Sequence, residues 1–222
     1  MTASLIVLPF RHGPFWNFTY LLACAATGEA AVIDPAWDVA AVIDTATSRG
    51  LRISTVLLTH GHSDHSHGTE DLVRQTGAAV VAHAAELPEL RRLYGGPVVE
   101  VAGDESLRLG EVPLRILHTP GHSRGSVSIL ADGQLFTGDT LAVGAVGRPG
   151  PGSEAVEALW TTVDRVLRSL PGDTIIRPGH DAGPSPSSPL GEQLARVAAL
   201  SATTFSDFAR ELQRGAGWHL PA

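Results

Sequence analysis

The segment Thr59-His60-Gly61-His62-Ser63-Asp64-His65-Ser66-His67-Gly68 constrains this chain more than any other. Its ligand-type side chains, His60, His62, Asp64 and His65, directly follow Ile53 to Thr59, a β-branched, apolar run that reads as a buried strand. Any fold must therefore bury that strand and leave its C-terminal end open to polar chemistry. In extended backbone, residues i and i+2 project to the same side, so His60 and His62 can reach one ion. Asp64 and His65 come one turn later, where the chain bends toward a helix, and face elsewhere. One short loop thus offers two half-sites built from imidazole nitrogen and carboxylate oxygen, the donors that Zn²⁺ and similar borderline ions prefer. A His-rich surface loop is the competing reading; this spacing, directly after a buried strand, weighs against it.

Four residues cannot close two coordination spheres, so further ligands must come from distant loops. Three apolar segments supply candidates, each ending in a glycine-containing turn. Leu114 to Leu117 leads into His118-Thr119-Pro120-Gly121-His122-Ser123. Gln134 to Thr137 leads into Gly138-Asp139-Thr140, and Thr174 to Ile176 into Arg177-Pro178-Gly179-His180-Asp181. Ligands at strand ends on one edge of a sheet form a rigid, convergent site.

Taken in order, these pieces resemble the glyoxalase II-like (hydroxyacylglutathione hydrolase-like) branch of the metallo-β-lactamase-fold hydrolases. Gly147-Arg148 and the stretch Pro186 to Glu192 are similar to that branch too, and the resemblance covers roughly residues 4 to 195. It implies an α/β fold, a four-layer αββα sandwich of two mixed sheets with helices outside. It implies that His60, His62 and His122 hold one metal and Asp64, His65 and His180 the other, with Asp139 bridging. Two divalent ions are expected, zinc foremost, with iron or manganese fitting similar donors. The implied activity is hydrolysis of a thioester by a metal-bridging hydroxide, which Asp64 orients. Phe15, Trp16 and Asn17 sit where the family's first loop approaches the metals, and Arg148 matches a basic position that can meet substrate. His67 stands where relatives carry a small residue; it either contacts substrate or is a solvated residue at a helix start. Trp16, Asn17, His67 and Arg148 are the candidate substrate contacts.

Other readings stay open. A persulfide dioxygenase of this fold would use one iron held by His60, His122 and Asp139. That group follows Gly-Arg with Thr-Asp-Phe, whereas Pro149-Gly150-Pro151 stands here. Lactone hydrolases place a tyrosine soon after the bridging Asp, where this chain has Thr140, Leu141 and Ala142. A non-enzymatic metal-binding protein is the remaining class, and the intact ligand set argues against it.

Composition fits a compact enzyme acting on a small molecule. The 222 residues, 43% of them hydrophobic, suit one metallo-β-lactamase-like domain over 1–222 with its own core. A net charge of −7 argues against a nucleic-acid groove. No apolar run approaches a membrane span, and the start is too short and uncharged for a signal peptide. Cys24 is the only cysteine, which excludes an intrachain disulfide and makes a reducing cytoplasm the expected compartment; it reads as a small core residue. Nothing in the sequence sets the oligomeric state. All 16 basic residues are arginine. A Schiff-base lysine and a P-loop are thereby excluded, and the lysines with which glyoxalase II enzymes help hold glutathione are missing.

The rest of the chain alternates. Strands are expected at Leu5 to Leu8, Thr19 to Ala23, Ala30 to Ile33, 53–59 and Ala79 to Ala82, three or four more within 98–137, and one at 174–176. Helices are expected at Val39 to Ser48, Thr69 to Thr76 with Gly77 ending it, Ala84 to Leu93, and Ser153 to Leu170. Ser188 is expected to cap a last helical segment, about 189–214, with Pro189 at its first position. No separate glutathione-binding domain is expected after it. His118 reads as a strand residue; His83 and His219 show no partner pattern.

Overall fold

The computed structural model describes residues 4–216; His219 lies outside them. Two six-stranded sheets face each other. The first runs in sequence order through β1 (Leu5–His12), β2 (Asn17–Cys24), β3 (Glu29–Ile33), β4 (Arg52–Leu57), β5 (Ala79–His83) and β6 (Val98–Val101). It opens as an antiparallel meander and continues parallel from β3 to β6. The second sheet comprises β7 (Ser106–Leu109), β8 (Val112–His118), β9 (Val127–Ala131), β10 (Gln134–Gly138), β13 (Ile175–Pro178) and β14 (Ser188–Pro189), in spatial order β14-β13-β10-β9-β8-β7. β10 pairs parallel with β13, and every other pair is antiparallel. The short hairpin β11 (Leu141–Ala142) and β12 (Ala145–Val146) follows β10. Both sheets are mixed, as expected.

β2 shows how alternation builds the layers. Phe18, Tyr20, Leu22 and Cys24 point between the sheets, where they meet Ile33, Leu57, Ile129 and Phe136. Leu21 and Ala23 point the other way, onto the first helical layer. A strand buried on both faces reads as a continuous apolar run, which is why Phe18 to Cys24 contains almost nothing polar. The first helical layer contains α1 (Val39–Ser48), the single turn α2 (Ser63–Ser66), α3 (Thr69–Thr76) and α4 (Leu87–Leu90). Gly77 ends α3 at φ 71°, the left-handed cap the sequence predicts. The second layer contains α5 (Ser153–Thr161), α6 (Leu190–Arg196), α7 (Ala198–Ser201) and α8 (Phe205–Glu211), packed around Leu135, Leu159, Val163, Ile176 and Phe208. Three apolar clusters between four layers are the αββα sandwich. Among the described residues, no helix is long and apolar enough to cross a membrane.

Several elements differ from the sequence expectation. β4 stops at Leu57 rather than Thr59, because the Thr59 N–H leaves the ladder and donates to Asp34 Oδ1 at 2.8 Å. The helix over Ser153 to Leu170 is α-helical only to Thr161; it widens into a π turn over Thr162–Val166 and tightens into a 3₁₀ turn over Leu167–Ser169. Ala84 to Leu93 yields a 3₁₀ turn, Ala84–Glu86, and the one-turn α4. Ser188 does not cap α6. It pairs with Ile176 in the sheet, its Oγ accepts from Gln193 Nε2 at 2.8 Å, and the extended Pro189 becomes the N-cap. His83 does have a partner: its ring, at the end of β5, stacks on that of His118, at the end of β8, with centroids 4.5 Å apart.

Candidate metal centre

All the ligand-type residues named from sequence gather at one edge of the sandwich, each on a turn leaving a strand end. The ligand atoms of His60, His62 and His122 lie within 4.8 Å of one another, and so do those of Asp64, His65 and His180. The His60, His62 and His122 rings form a near-equilateral triangle with centroids 4.7–4.9 Å apart, mutually almost perpendicular. Asp139 stands between the two groups. Its Oδ2 is 3.5 Å from His122 Nε2, while Oδ1 is 3.3 Å from both His65 Nε2 and His180 Nε2.

The outer hydrogen bonds fix which imidazole nitrogens carry protons. His65 Nδ1 is 3.1 Å from Asp34 Oδ2, His180 Nδ1 is 2.8 Å from the Phe15 carbonyl, and His122 Nδ1 is 2.8 Å from the Arg148 carbonyl. Each of these oxygens can only accept, so each Nδ1 donates. His60 Nδ1 meets Thr59 Oγ1 at 3.1 Å, and that hydroxyl gives its own proton to Asp34 Oδ2, so His60 Nδ1 donates as well. With Nδ1 turned outward, the Nε2 atoms of His65, His122 and His180 face inward, 3.3–3.5 Å from the Asp139 carboxylate, and His122 Nε2 also lies 2.9 Å from His62 Nδ1. His60 Nε2 and Asp139 Oδ1 are buried without a hydrogen-bond partner. Buried polar atoms left without a partner in this way are costly unless a cation sits among them. The donor set fits a divalent metal: imidazole nitrogens and carboxylate oxygens, with the rings of His60, His65, His122 and His180 oriented from behind.

Electrostatics agree. Burial, reinforced by the neighbouring imidazoles, pushes the His60 pKa well below the ordinary value, which keeps its ring neutral. Burial opposes charge on Asp139 too, but His65 and His180 outweigh it and hold the carboxyl well below the usual range. Asp64 reaches the second group through Oδ2, 3.4 Å from His180 Nε2, and the same oxygen accepts from Asn17 Nδ2 at 3.1 Å.

Asn17 is fully buried, and its Oδ1 accepts from Trp37 Nε1 at 3.0 Å. Both ends of its amide are thus occupied within the protein. Trp16 is 44% exposed at φ 54°, with the Arg11 guanidinium 5.7 Å from its ring, and its carbonyl accepts from Asp181 N. His67 is exposed beside Trp37, ring centroids 5.7 Å apart, and Arg148 directs its side chain into solvent. His118 ends β8 and takes no part in either group; its Nε2 is 3.0 Å from the Arg124 carbonyl.

Two buried carboxylates escaped the sequence analysis. Asp34 follows β3 at φ 49° and receives Thr59 N, Thr59 Oγ1 and His65 Nδ1. A non-glycine residue pays about 1–2 kcal/mol for that backbone, least when it is Asp or Asn. Its signal was present, since a carboxylate directly after an apolar strand is the pattern that pointed to Asp139. Glu86 is the other, and lies between α4 and the metal loops.

The Metallo-beta-lactamase superfamily matches over residues 13–201, and the chain belongs to it. A curated relative from Anaeromyxobacter dehalogenans, named hydroxyacylglutathione hydrolase, is 38% identical over 165 residues, which cover 74% of this chain and 61% of the relative. The chain thus spans about three fifths of the length of such relatives. Among solved structures, a metallo-beta-lactamase from Staphylococcus aureus superposes with TM-score 0.83 at 26% identity, covering 100% of this chain and 75% of that one. TTHA1623, solved in a di-iron-bound form, superposes with TM-score 0.71 at 29% identity, covering 86% of this chain and 98% of that one.

Proposed function

We propose that the chain is a metal-dependent hydrolase that cleaves thioesters of small thiols. His60, His62 and His122 hold one divalent ion, Asp64, His65 and His180 a second, and Asp139 is shared. The observation that carries this reading is the gathering of His60, His62 and His122, and of Asp64, His65 and His180, into two ligand groups on either side of Asp139. Relatives named hydroxyacylglutathione hydrolase supply the reaction class. Zinc is the first choice for this donor set; iron fits it too, in keeping with the di-iron-bound neighbour. The single buried cysteine suits a reducing cytoplasm.

Two bound ions would lower the pKa of a shared water and polarise the substrate carbonyl. The protein supplies the placement. Asn17 holds Asp64 Oδ2 toward the second group, which puts a carboxylate where an attacking water's proton must go. The nearby serine hydroxyls are committed elsewhere, Ser66 to the Gly61 and His62 carbonyls and Ser123 to Glu86, and neither donates to an imidazole. The nucleophile is therefore solvent-derived. A thiolate leaves readily, so the site needs no strong general acid. Trp16, His67 and Arg148, exposed around the mouth, are the substrate-facing residues.

Elemental analysis, with kinetics on a panel of acyl thiols, lactones and glutathione persulfide, tests this. Two ions per chain and turnover of thioesters are expected, with Asp64→Asn losing most of that turnover while keeping at least one metal. Asp64→Asn turning over as fast as the parent would overturn the role of Asp64. One iron per chain with oxygen consumption on the persulfide would assign the site to a dioxygenase instead.

A further inference from the structure

Glu86 is a buried carboxylate that the proposed chemistry does not use. It receives three hydrogen bonds, each 2.7 Å long: Gly61 N donates to Oε2, while Ser123 Oγ and Gly125 N donate to Oε1. No ion pair to it forms among the described residues, so these donors alone compensate its burial. Gly61 lies between His60 and His62, whereas Ser123 and Gly125 follow His122. One carboxylate therefore grips both loops that build the His60–His62–His122 triangle, loops that leave different sheets.

The surroundings are shaped to admit it. A Cβ on Gly61 would lie 3.1 Å from Glu86 Oε2, and one on Gly125 would lie 2.8 Å from Glu86 Cγ and Oε1. A side chain at either position would crowd the carboxylate, and one at Gly125 would also meet His83 Nδ1 at 2.7 Å. The turn that carries Glu86 is fastened in its own right: His83 caps it by accepting from Ala85 N at 3.1 Å. Ser126 Oγ lies 2.7 Å from Ser123 Oγ and supports the hydroxyl that donates to Glu86.

We infer that Glu86 is a positioning residue, which sets the separation between the His60–His62 loop and the His122 loop and so tunes metal affinity at that group alone. The inference rests on the ligand assignment proposed above. A preset triangle spares the metal the cost of ordering its ligands, and partners behind a ligand shell commonly matter to affinity in this way. Asp64, His65 and His180 are held by Asn17, Asp34 and the Phe15 carbonyl instead, so they do not depend on Glu86.

Cobalt(II) titration of metal-free protein, followed by absorption and by bound-metal stoichiometry, tests this. His122→Ala identifies the signal of its own group. Glu86→Gln keeps the shape but puts an amide N–H opposite at least one of the three donors. It should weaken cobalt binding at the His122 group by at least about tenfold and leave the other group within about twofold. Glu86→Asp keeps the charge but is too short to span both loops, and should weaken the same group. Ser123→Ala removes one donor and should cause a smaller loss there, which keeps the test open if Glu86→Gln fails to fold. Unchanged binding in Glu86→Gln, equal weakening of both groups, or full affinity in Glu86→Asp would overturn the inference. A parent protein that binds fewer than two cobalt ions would overturn the ligand assignment, and this inference with it.

Discussion

His65 Nε2 lies 3.0 Å from His180 Nε2, 115 positions further along the chain, and both rings already donate through Nδ1 to oxygen. Two lone pairs at that distance repel unless a cation or a proton lies between them. Burial disfavours a charge on His65, but Asp139 and Asp34 outweigh it and hold its pKa well above the ordinary imidazole value. A proton therefore takes the metal's place when metal is absent.

Metal binding should then release protons near neutral pH, and apparent affinity should fall as pH falls. The stability sign follows from the raised pKa. The contribution of His65 to the metal-free fold is full below the unfolded value of about 6.5 and is lost as pH rises through the folded value. Added metal should accordingly raise the unfolding temperature more on the alkaline side. Calorimetric titration in buffers of different ionisation enthalpy checks the proton count. An affinity constant from about pH 6 to 8 would contradict it.

Asp34→Asn should cost about 10–100-fold in metal affinity or thioester turnover. Asn accepts the same left-handed backbone, so strain does not change, but its amine must face one of three donors: Thr59 N, Thr59 Oγ1 or His65 Nδ1. Metal-binding titration with circular dichroism separates lost ligand orientation from lost folding.

Gly179→Ala places a Cβ 2.7 Å from both Asp139 Oδ1 and His65 Cε1. We expect reduced metal content and destabilisation of about 1–3 kcal/mol, the usual cost of overpacking. Gly95→Ala, whose Cβ would meet nothing within 4 Å, is the control. Denaturant unfolding and elemental analysis of the pair decide it; equal metal content in both would refute the expectation.

Trp37→Phe removes the N–H that fixes the Asn17 amide. The Asn17 amide then keeps only its bond to Asp64 Oδ2, its own buried Oδ1 is left without a donor, and its hold on Asp64 loosens. Turnover should fall about tenfold, equivalent to about 1.4 kcal/mol in the barrier, while both metals stay bound. Unaltered kcat with an altered KM would instead make Trp37 a wall of the substrate cleft.

The metal loop was legible because its four donors lie within six positions and follow an apolar strand, and because the same strand-then-turn grammar recurs at His122, Asp139 and His180. Asp34 obeys that grammar but stands alone, without a neighbouring histidine to draw attention. Glu86 was hidden for the opposite reason: in a helical-looking stretch with Glu89 nearby, it resembles any solvated acid, and only the return of two distant loops buries it. Ser188 misled because a serine before proline is a good cap locally, whereas pairing with β13 decided its conformation. Asn17 was identified as a residue near the metals, but its direction, inward onto Asp64, depends on the Trp37 indole 20 positions away.

The strand-to-strand contacts around His180 carry a consequence for the order in which the molecule can be completed. Asn17 bridges His180, Phe18 N donates to the Gly179 carbonyl, and Asp181 N donates to the Trp16 carbonyl. A chain emerging from the ribosome makes the first half of this junction at its beginning and the second half far later. His60, His62, Asp64 and His65 are thus synthesised long before His180 can arrive, and the early loop waits as an open half-clasp. An ion captured during that interval would meet a different ligand set from the finished one, which His180 completes only when β13 docks beside β10.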